Sequence, residues 1–474
     1  VAPAAFFDLD RTLLSGASAH VVSRVLRETG VVNRSIPGES LLYQVFETFG
    51  ENLPSMILGR QAVHAMRGHA RADVCAAAER AAPDLVAMVQ PYARQVIESH
   101  RVAGRKVVLA TTTPLDLIEP FARAMEFDAV VATVYDVDAD GVYTGEIVGS
   151  YVWSRGKRDA VRAWCEANDV DFAASWAYSD SVYDEPLLSG VAHPHCVNPD
   201  WRLRLMAAAR RWPVMNLDVP PGVVKIPVVG LEAQQALMKV ARPEVFPYAR
   251  FVITGTENIP ADGPAIICGN HRSYFDVVAV ALAVARTGRA ARFLGKKEVF
   301  DAPVIGPLAT ALGGIRVDRG TGSDEPLRAA SEALLAGDIV AIMPQGTIPR
   351  GRAFYDPVLK GRWGAARLAA QTGARVVPVG IWGTELVWPR NAKLPNITNI
   401  TSPPTITITV GEPFSVGGSD PDTDTEAIMA AITALLPVEA REHREPTEDE
   451  IRRALPSNYR GDPDAEFERR PGTD

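Results

Sequence analysis

Two aspartates with a single leucine between them, Asp8 and Asp10 in "AFFDLDRTLL", follow directly on an apolar run that reads as a buried strand. Carboxylates at the edge of a core are costly unless they are paired, hydrogen-bonded or bound to a metal. A second polar cluster, "CGNHRSYFD", stands behind another apolar run and sets His271 four intervening residues before Asp276, where a strand gives way to a helix. A lone Asp-x-Asp pair often does no more than cap a helix, and a lone histidine at a strand end is most often structural. Their companions along the chain decide.

The companions of the first cluster are Thr12, Thr111 closing "VVLATTTP", Lys157 in "RGKRDA", and Asp180 and Asp184 in "YSDSVYDEPLL". In order and strand-end placement this set resembles the haloacid dehalogenase superfamily of phosphohydrolases, near its phosphoserine-phosphatase-like branch, over residues 4–205. A phosphate ester repels an attacking anion, so such a site must cancel charge. The resemblance implies that Asp8 attacks phosphorus and forms an aspartyl-phosphate, and that Asp10 protonates the leaving oxygen and then activates water. It implies Mg²⁺ on Asp8, the Asp10 carbonyl and Asp180, with four carboxylates gathered at adjacent strand ends. Thr111 and Lys157 hold the phosphoryl oxygens and Asp184 orients the lysine and metal side. One position departs from the pattern: Ser179 precedes Asp180 where relatives often carry glycine.

The companions of the second cluster are "GGIRVDR" ending in Arg319, "MPQGTIPRG" with Pro344, Gln345, Gly346 and Thr347, and "VVPVGIWG" with Pro378. Together with His271 and Asp276 they resemble the four ordered blocks of the glycerolipid (lysophospholipid) acyltransferase family, the 1-acylglycerol-3-phosphate acyltransferases among them, over residues 222–438. The resemblance implies that His271 takes the proton of an acceptor hydroxyl while Asp276 fixes its tautomer, as in a triad without the serine. It implies that Arg319 holds the acceptor's phosphate, that Gly346 and Thr347 form the turn beside it, and that acyl-CoA or acyl carrier protein is the donor. The third block commonly reads Pro-Glu-Gly-Thr-Arg; here Gln345 and Ile348 stand in place of the two charges, with Arg350 or Arg352 as candidate replacements. Lys296, Lys297, Lys360 and Arg362 are candidates for phosphates of carrier or lipid.

The elements that must position these residues alternate along the chain. Strands are expected at 4–9, "RKVVLATTTP", "AVVATVYDV" and "ASWAYSDS", with helices between them and a helical cap over 17–100. A linker is expected at 212–222, "WPVMNLDVPPG". Strand–helix alternation resumes over 223–438, and residues 439–474 form a charged, largely disordered tail with one short possible helix near 448–455. The fold class is α/β: a Rossmann-like haloacid dehalogenase domain at 1–211 with its cap, then a second αβ domain, each a parallel sheet with ligands at the carboxyl ends of its strands.

Length and composition agree. The chain has 474 residues, too many for one ordinary domain, and its net charge of -8 argues against nucleic-acid binding. Cys75, Cys165, Cys196 and Cys268 form no metal-ligand spacing, which suits a reduced compartment. Aspartates interrupt the first apolar run, so no signal peptide is expected, and no segment approaches the length of a spanning helix. The expectation is a cytoplasmic, peripheral protein on the inner face of the cell membrane, meeting lysophospholipid and acyl thioester there, with 222–240 as an amphipathic docking element. The oligomeric state is open. The joint reading is a bifunctional enzyme of glycerophospholipid synthesis. Its alternative is an acyltransferase whose phosphatase-like domain is a regulatory or scaffold module.

Overall fold

The computed structural model describes residues 2–32, 62–226, 231–240, 242–303, 305–317, 325–457 and 459–462. The chain divides into two compact units, Val1–Pro221 and Gly222–Asp474. The strands of the first are β1 (Ala4–Phe7), β2 (Lys106–Pro114), β3 (Ala129–Val137), β4 (Tyr143–Val148), β5 (Trp176–Ser179), β6 (His193–Val197) and β7 (Val214–Met215). They form one sheet in the order β4-β3-β2-β1-β5-β6-β7, parallel except where β4 pairs with β3. The central strand β1 is buried along its whole length. Ala5 and Phe7 face one core, Ala4 and Phe6 the other, which is why it reads as a continuous apolar run. Phe7 lies opposite Leu109 on one side and Tyr178 on the other, so Asp8, Thr111 and Asp180 emerge at one edge of the sheet.

The helices of this unit include α1 (Ser18–Glu28), α2 (Arg71–Ala87), α3 (Ala93–Val102), α4 (Leu115–Ala124), α5 (Arg155–Ala167) and α6 (Trp201–Arg210). The long helical stretch expected up to residue 100 is broken between α2 and α3. Ile97 of α3 packs in the same core as Phe7, Val107 and Leu109, so α3 covers the sheet. Much of the expected cap, residues 33–61, lies outside the described residues. The expected linker 212–222 contains the boundary between the two units, at Pro221, and most of it belongs to the first unit. Val214 and Met215 extend the sheet as β7, and Leu217 and Val219 are buried. The prolines punctuate an extended edge whose alternating apolar side chains still find a core.

The second unit holds β8 (Arg250–Thr254), β9 (Ala265–Gly269), β10 (Ala291–Lys296), β11 (Ile315–Val317), β12 (Ile339–Ile342), β13 (Arg375–Trp382) and β14 (Thr405–Val410). Their order is β11-β10-β12-β9-β13-β14-β8, with β13 and β14 antiparallel. Ala265 and Ile267 of β9 pack against α7 (Asp276–Ala285). Ile266 and Cys268 face α8 (Glu325–Leu335), α9 (Gly364–Thr372) and α10 (Pro421–Ala434). Two helical layers thus cover the sheet, as the alternation of strands and helices requires. Of the expected tail, residues 439–457 and 459–462 are described. A capping box of Thr447 and Glu450 opens α11 (Glu448–Arg453), and Ala454 is buried against Ile348 and Phe354.

Candidate active sites

At the first sheet edge, Asp8 follows β1 and its backbone N–H is held by the Tyr178 carbonyl of β5 at 3.0 Å. The Asp8 carboxylate accepts from Lys157 Nζ at 2.8 Å and from Thr12 Oγ1 at 3.2 Å. Lys157 comes from the first turn of α5 and is fully buried; its second partner is Asp184 Oδ2 at 2.7 Å. Gly156 permits this seating, because a Cβ there would meet the Tyr151 carbonyl oxygen at 2.3 Å. Thr12 Oγ1 also accepts the Asp180 backbone N–H at 2.9 Å, which locks the loop after β1 to the end of β5. Thr111 is buried in the carboxyl half of β2, where its hydroxyl accepts the Thr113 N–H. Ser179, the departure from glycine, donates its hydroxyl to Asp184 Oδ2 at 2.7 Å and so completes the lysine cradle.

Asp10 behaves differently from its neighbours. Its side chain accepts the Ser18 N–H at 2.6 Å, at the first residue of α1. That bond satisfies one of the orphan N–H groups at the helix start, while Asp10 stays close enough to Asp8 and Lys157 for its charge to act on the first and feel the second. Burial holds its carboxyl above the ordinary carboxylate range, against the pull of the Ser18 hydrogen bonds. Burial likewise pushes Asp8 up to about 6; Lys157 opposes this and Asp184 adds to it. Arg11 Nε lies 3.3 Å from Asp180 Oδ2. Among the described residues no three His, Cys, Asp or Glu side chains are placed to hold a metal ion together. The expected ligand set needs only two side chains, Asp8 and Asp180, with the Asp10 carbonyl as third. Those groups are hard oxygen donors on a buried, acidic edge, and Asp184 Oδ1 there is buried without a hydrogen-bond partner. The residues fit a hard divalent cation.

At the second edge, β9 ends at Gly269 between β12 and β13. Asn270 binds the Ile381 carbonyl and N–H of β13 through its two amide atoms, at 2.8 and 2.7 Å, which fixes where the next residue leaves the sheet. His271 Nδ1 lies 2.8 Å from Asp276 Oδ2. The same oxygen accepts the backbone N–H groups of Arg272 and Ser273 at 2.7 and 2.8 Å, and Oδ1 accepts Thr384 Oγ1 at 2.5 Å. Asp276 is fully buried and opens α7. Its oxygens accept from Nδ1, so the other ring nitrogen of His271 is left for chemistry.

His271 lines a cavity of about 690 Å³. Its walls are largely apolar, with Val278, Phe293, Leu312 and Ile348 among them, and Gly346, Thr347, Lys296 and Arg362 also line it. Gly346 has φ +71°, a turn closed by its N–H on the Met343 carbonyl at 2.8 Å. Gln345, read from the sequence as a departure, accepts the His271 N–H at 2.6 Å and is buried. Thr384 and the Gln345 contact are the site groups that sequence reasoning missed. Arg319 lies outside the described residues. Lys297 and Lys360 are not among the residues lining the cavity. Arg350 and Arg352, the candidate replacements for the third block's missing charge, are turned instead to the C-terminal segment: Arg350 stacks on Tyr459, and Arg352 pairs with Glu445 at 2.8 Å. In the described parts of the segment 222–240, Val223 is buried and Glu232 forms a buried pair with Arg292, while Val224 and Leu237 are exposed.

Residues 5–189 match the family of haloacid dehalogenase-like hydrolases, and residues 250–382 match the acyltransferase family. The chain is 34% identical over 242 residues to the inhibition of morphological differentiation protein of Streptomyces azureus, covering 50% of this chain and 87% of that one. It is 32% identical over 229 residues to phosphoserine phosphatase SerB1 of Mycobacterium tuberculosis, 48% of this chain and 74% of that one. Over 152 residues it is 28% identical to the chloroplastic 1-acyl-sn-glycerol-3-phosphate acyltransferase LPAT1 of Arabidopsis thaliana, 31% of this chain and 40% of that one. With a lysine-bound aspartate at one sheet edge and a histidine–aspartate pair at the other, the chain belongs to the haloacid dehalogenase-like hydrolases of the phosphoserine-phosphatase-like kind and joins to that domain a second of the acyltransferase family.

Proposed function

We propose that the second unit transfers an acyl chain from a thioester, acyl-CoA or acyl carrier protein, to the free hydroxyl of a lysophospholipid such as 1-acyl-sn-glycerol-3-phosphate, and that the first unit is an Mg²⁺-dependent phosphomonoesterase. The observation that carries the acyl-transfer reading is His271, paired at 2.8 Å with buried Asp276, on the wall of a large apolar cavity. The acceptor hydroxyl gives its proton to the free nitrogen of His271 as its oxygen attacks the thioester carbonyl. The tetrahedral adduct collapses, the C–S bond breaks, and the imidazolium returns the proton to the departing thiolate. No acyl-enzyme is required, since the thioester is already activated. The apolar walls suit a hydrocarbon chain, and Lys296 and Arg362 suit a phosphate. Leu237, Val299, Ile305 and Leu308 line the cavity and are also exposed, which supports contact of its mouth with a lipid surface. No helix among the described residues is long and apolar enough to cross a membrane.

In the first unit, Asp8 attacks phosphorus and the ester oxygen leaves with the proton of Asp10, whose raised pKa suits a donor. Lys157 holds Asp8 in place and meets the phosphoryl charge. Mg²⁺ on Asp8, Asp180 and the Asp10 carbonyl would supply the remaining charge neutralisation. The test is one preparation of the full chain assayed for both activities. Acyl transfer to lysophosphatidate and Mg²⁺-dependent release of phosphate from small monoesters support the reading. Failure of either, with every acceptor and ester tried, removes the corresponding half.

A further inference from the structure

The described residues of the charged segment from Glu442 to Asp462 fold onto the loop that follows β12. Ala454, at the end of α11, is 3% exposed and shares a small apolar cluster with Ile348 and Phe354. Tyr355 donates its hydroxyl to the Glu450 carbonyl at 3.1 Å, and the Arg444 guanidinium, paired with Glu450, lies 4.8 Å over the Tyr355 ring. Arg352 pairs with Glu445, and Arg350 lies 5.0 Å over Tyr459. These contacts converge on residues 348–355, a stretch with a single short turn at Gly351–Phe354 and no strand of its own.

That stretch touches the acyl-transfer site in two ways. Ile348 lines the cavity with His271. Phe354 packs its ring 4.3 Å from the Arg272 guanidinium, whose other neighbour is the Trp382 ring at 4.1 Å, and Arg272 Nε donates to Glu385 at 2.9 Å. The backbone N–H of that same Arg272 is one of the donors that fix Asp276. A continuous chain of contacts therefore runs from Ala454 through Phe354 and Arg272 to the His271–Asp276 pair.

We propose that the C-terminal segment is an intramolecular clamp that positions the loop after β12 and, through Phe354 and Arg272, the His271–Asp276 pair, so that acyl transfer depends on it. The inference rests on the acyl-transfer reading of that site. Phe354 and Ala454 are positioning residues: they touch neither the cavity's contents nor the reacting atoms. A loop held mainly by side-chain contacts loses its geometry when those contacts go, and small displacements at a reacting centre cost large factors in rate.

The experiment uses the full chain, a chain ending at Arg441, and full-length Ala454→Asp, which puts a carboxylate into the small apolar cluster. Ala454→Ser is the conservative control, and a synthetic peptide of residues 442–462 is added to the shortened chain. All are assayed at a temperature where the second unit is fully folded, with phosphatase activity as the internal measure of concentration. The expected result is a fall of about tenfold to a hundredfold in acyl-transfer kcat for the shortened chain and Ala454→Asp. KM is expected to change far less, Ala454→Ser to match the wild type, and the peptide to restore the rate. Amide hydrogen exchange should quicken over 344–355 and slow again with the peptide. A folded shortened chain, or Ala454→Asp, that transfers acyl groups at the wild-type rate or faster overturns the clamp, as does unchanged exchange over 344–355. If the wild type itself transfers no acyl group, the functional reading fails, and the exchange measurement alone decides whether the loop is clamped.

Discussion

Replacing Asp276 by Asn separates charge from geometry at the acyl-transfer site. One oxygen of Asp276 faces three donors, His271 Nδ1 and the N–H groups of Arg272 and Ser273; the other faces a single hydroxyl, Thr384, at 2.5 Å. In Asp276→Asn the amide oxygen takes the side with three donors. Its nitrogen falls opposite Thr384, whose hydroxyl can turn to accept. The histidine keeps its tautomer and the loop keeps its hydrogen bonds. What is lost is the charge that the imidazolium meets in the transition state. A hydrogen bond to a charged group contributes roughly 1.5–3 kcal/mol, so kcat should fall about tenfold to a hundredfold. The penalty of about 10⁴ known where such a change leaves a histidine in the wrong tautomer should not appear. Adding Thr384→Val removes the acceptor that Thr384 would offer the new amide nitrogen, and the double variant should fall well below the product of the two single effects. The assay is steady-state transfer from acyl-CoA to 1-acyl-sn-glycerol-3-phosphate. A wild-type rate for Asp276→Asn, or a double variant no worse than that single one, would refute the reasoning.

Lys157→Met leaves Asp8 and Asp184 buried without their shared cation; without Mg²⁺ the first unit should lose about 3–5 kcal/mol, read by hydrogen exchange in β1 and β5, and unchanged protection there would count against the pairing. Gln345→Leu strips the acceptor from the His271 N–H, which should cost about 1–3 kcal/mol in acyl-transfer kcat/KM, whereas Gln345→Glu, which keeps an acceptor oxygen, should retain most of the rate. His100, buried against Tyr178 with Arg105 beside it, is held neutral: burial first, then the arginine, lowers its pKa from 6.5 to about 4. Its contribution is present above pH 6.5 and is lost as the pH falls towards 4, because the unfolded chain takes up the proton first; the loss is about 3 kcal/mol. Urea midpoints of the first unit for wild type and His100→Gln should converge over that window, and parallel curves would contradict the assignment.

Both sites were legible because strand ends announce themselves. "AAFF" and "AIICG" are buried on two faces and read as apolar runs, so the polar residues that follow must stand at a sheet edge. The resemblance to two known families, rather than spacing, picked out Lys157 and His271, and it could not aim side chains. Asp10 looks like a twin of Asp8 and is instead drawn to the N–H of Ser18, a competition visible only once α1 is in place. Ser179 and Gln345 looked like departures and proved to be hydrogen-bonding members of their sites. Thr384 carried no signal, since it approaches Asp276 from 108 residues away. Prolines at 212–222 suggested a linker, but the burial of Leu217 depends on contacts distant in sequence. The segment after residue 439 is about half charged residues and poor in apolar ones, so composition pointed to disorder; in its described part a single alanine, a capping box and arginine–aromatic contacts make the links to the rest of the unit.

The central claim is that two independent chemistries reside on one chain, one at Asp8 and one at His271. It is tested most directly by assaying acyl transfer and Mg²⁺-dependent phosphate release side by side in wild type, Asp8→Asn and His271→Ala, each shown to be folded. The account predicts that Asp8→Asn abolishes phosphate release and leaves acyl transfer intact, while His271→Ala does the reverse. Acyl transfer surviving in His271→Ala, or phosphate release surviving in Asp8→Asn, would contradict it.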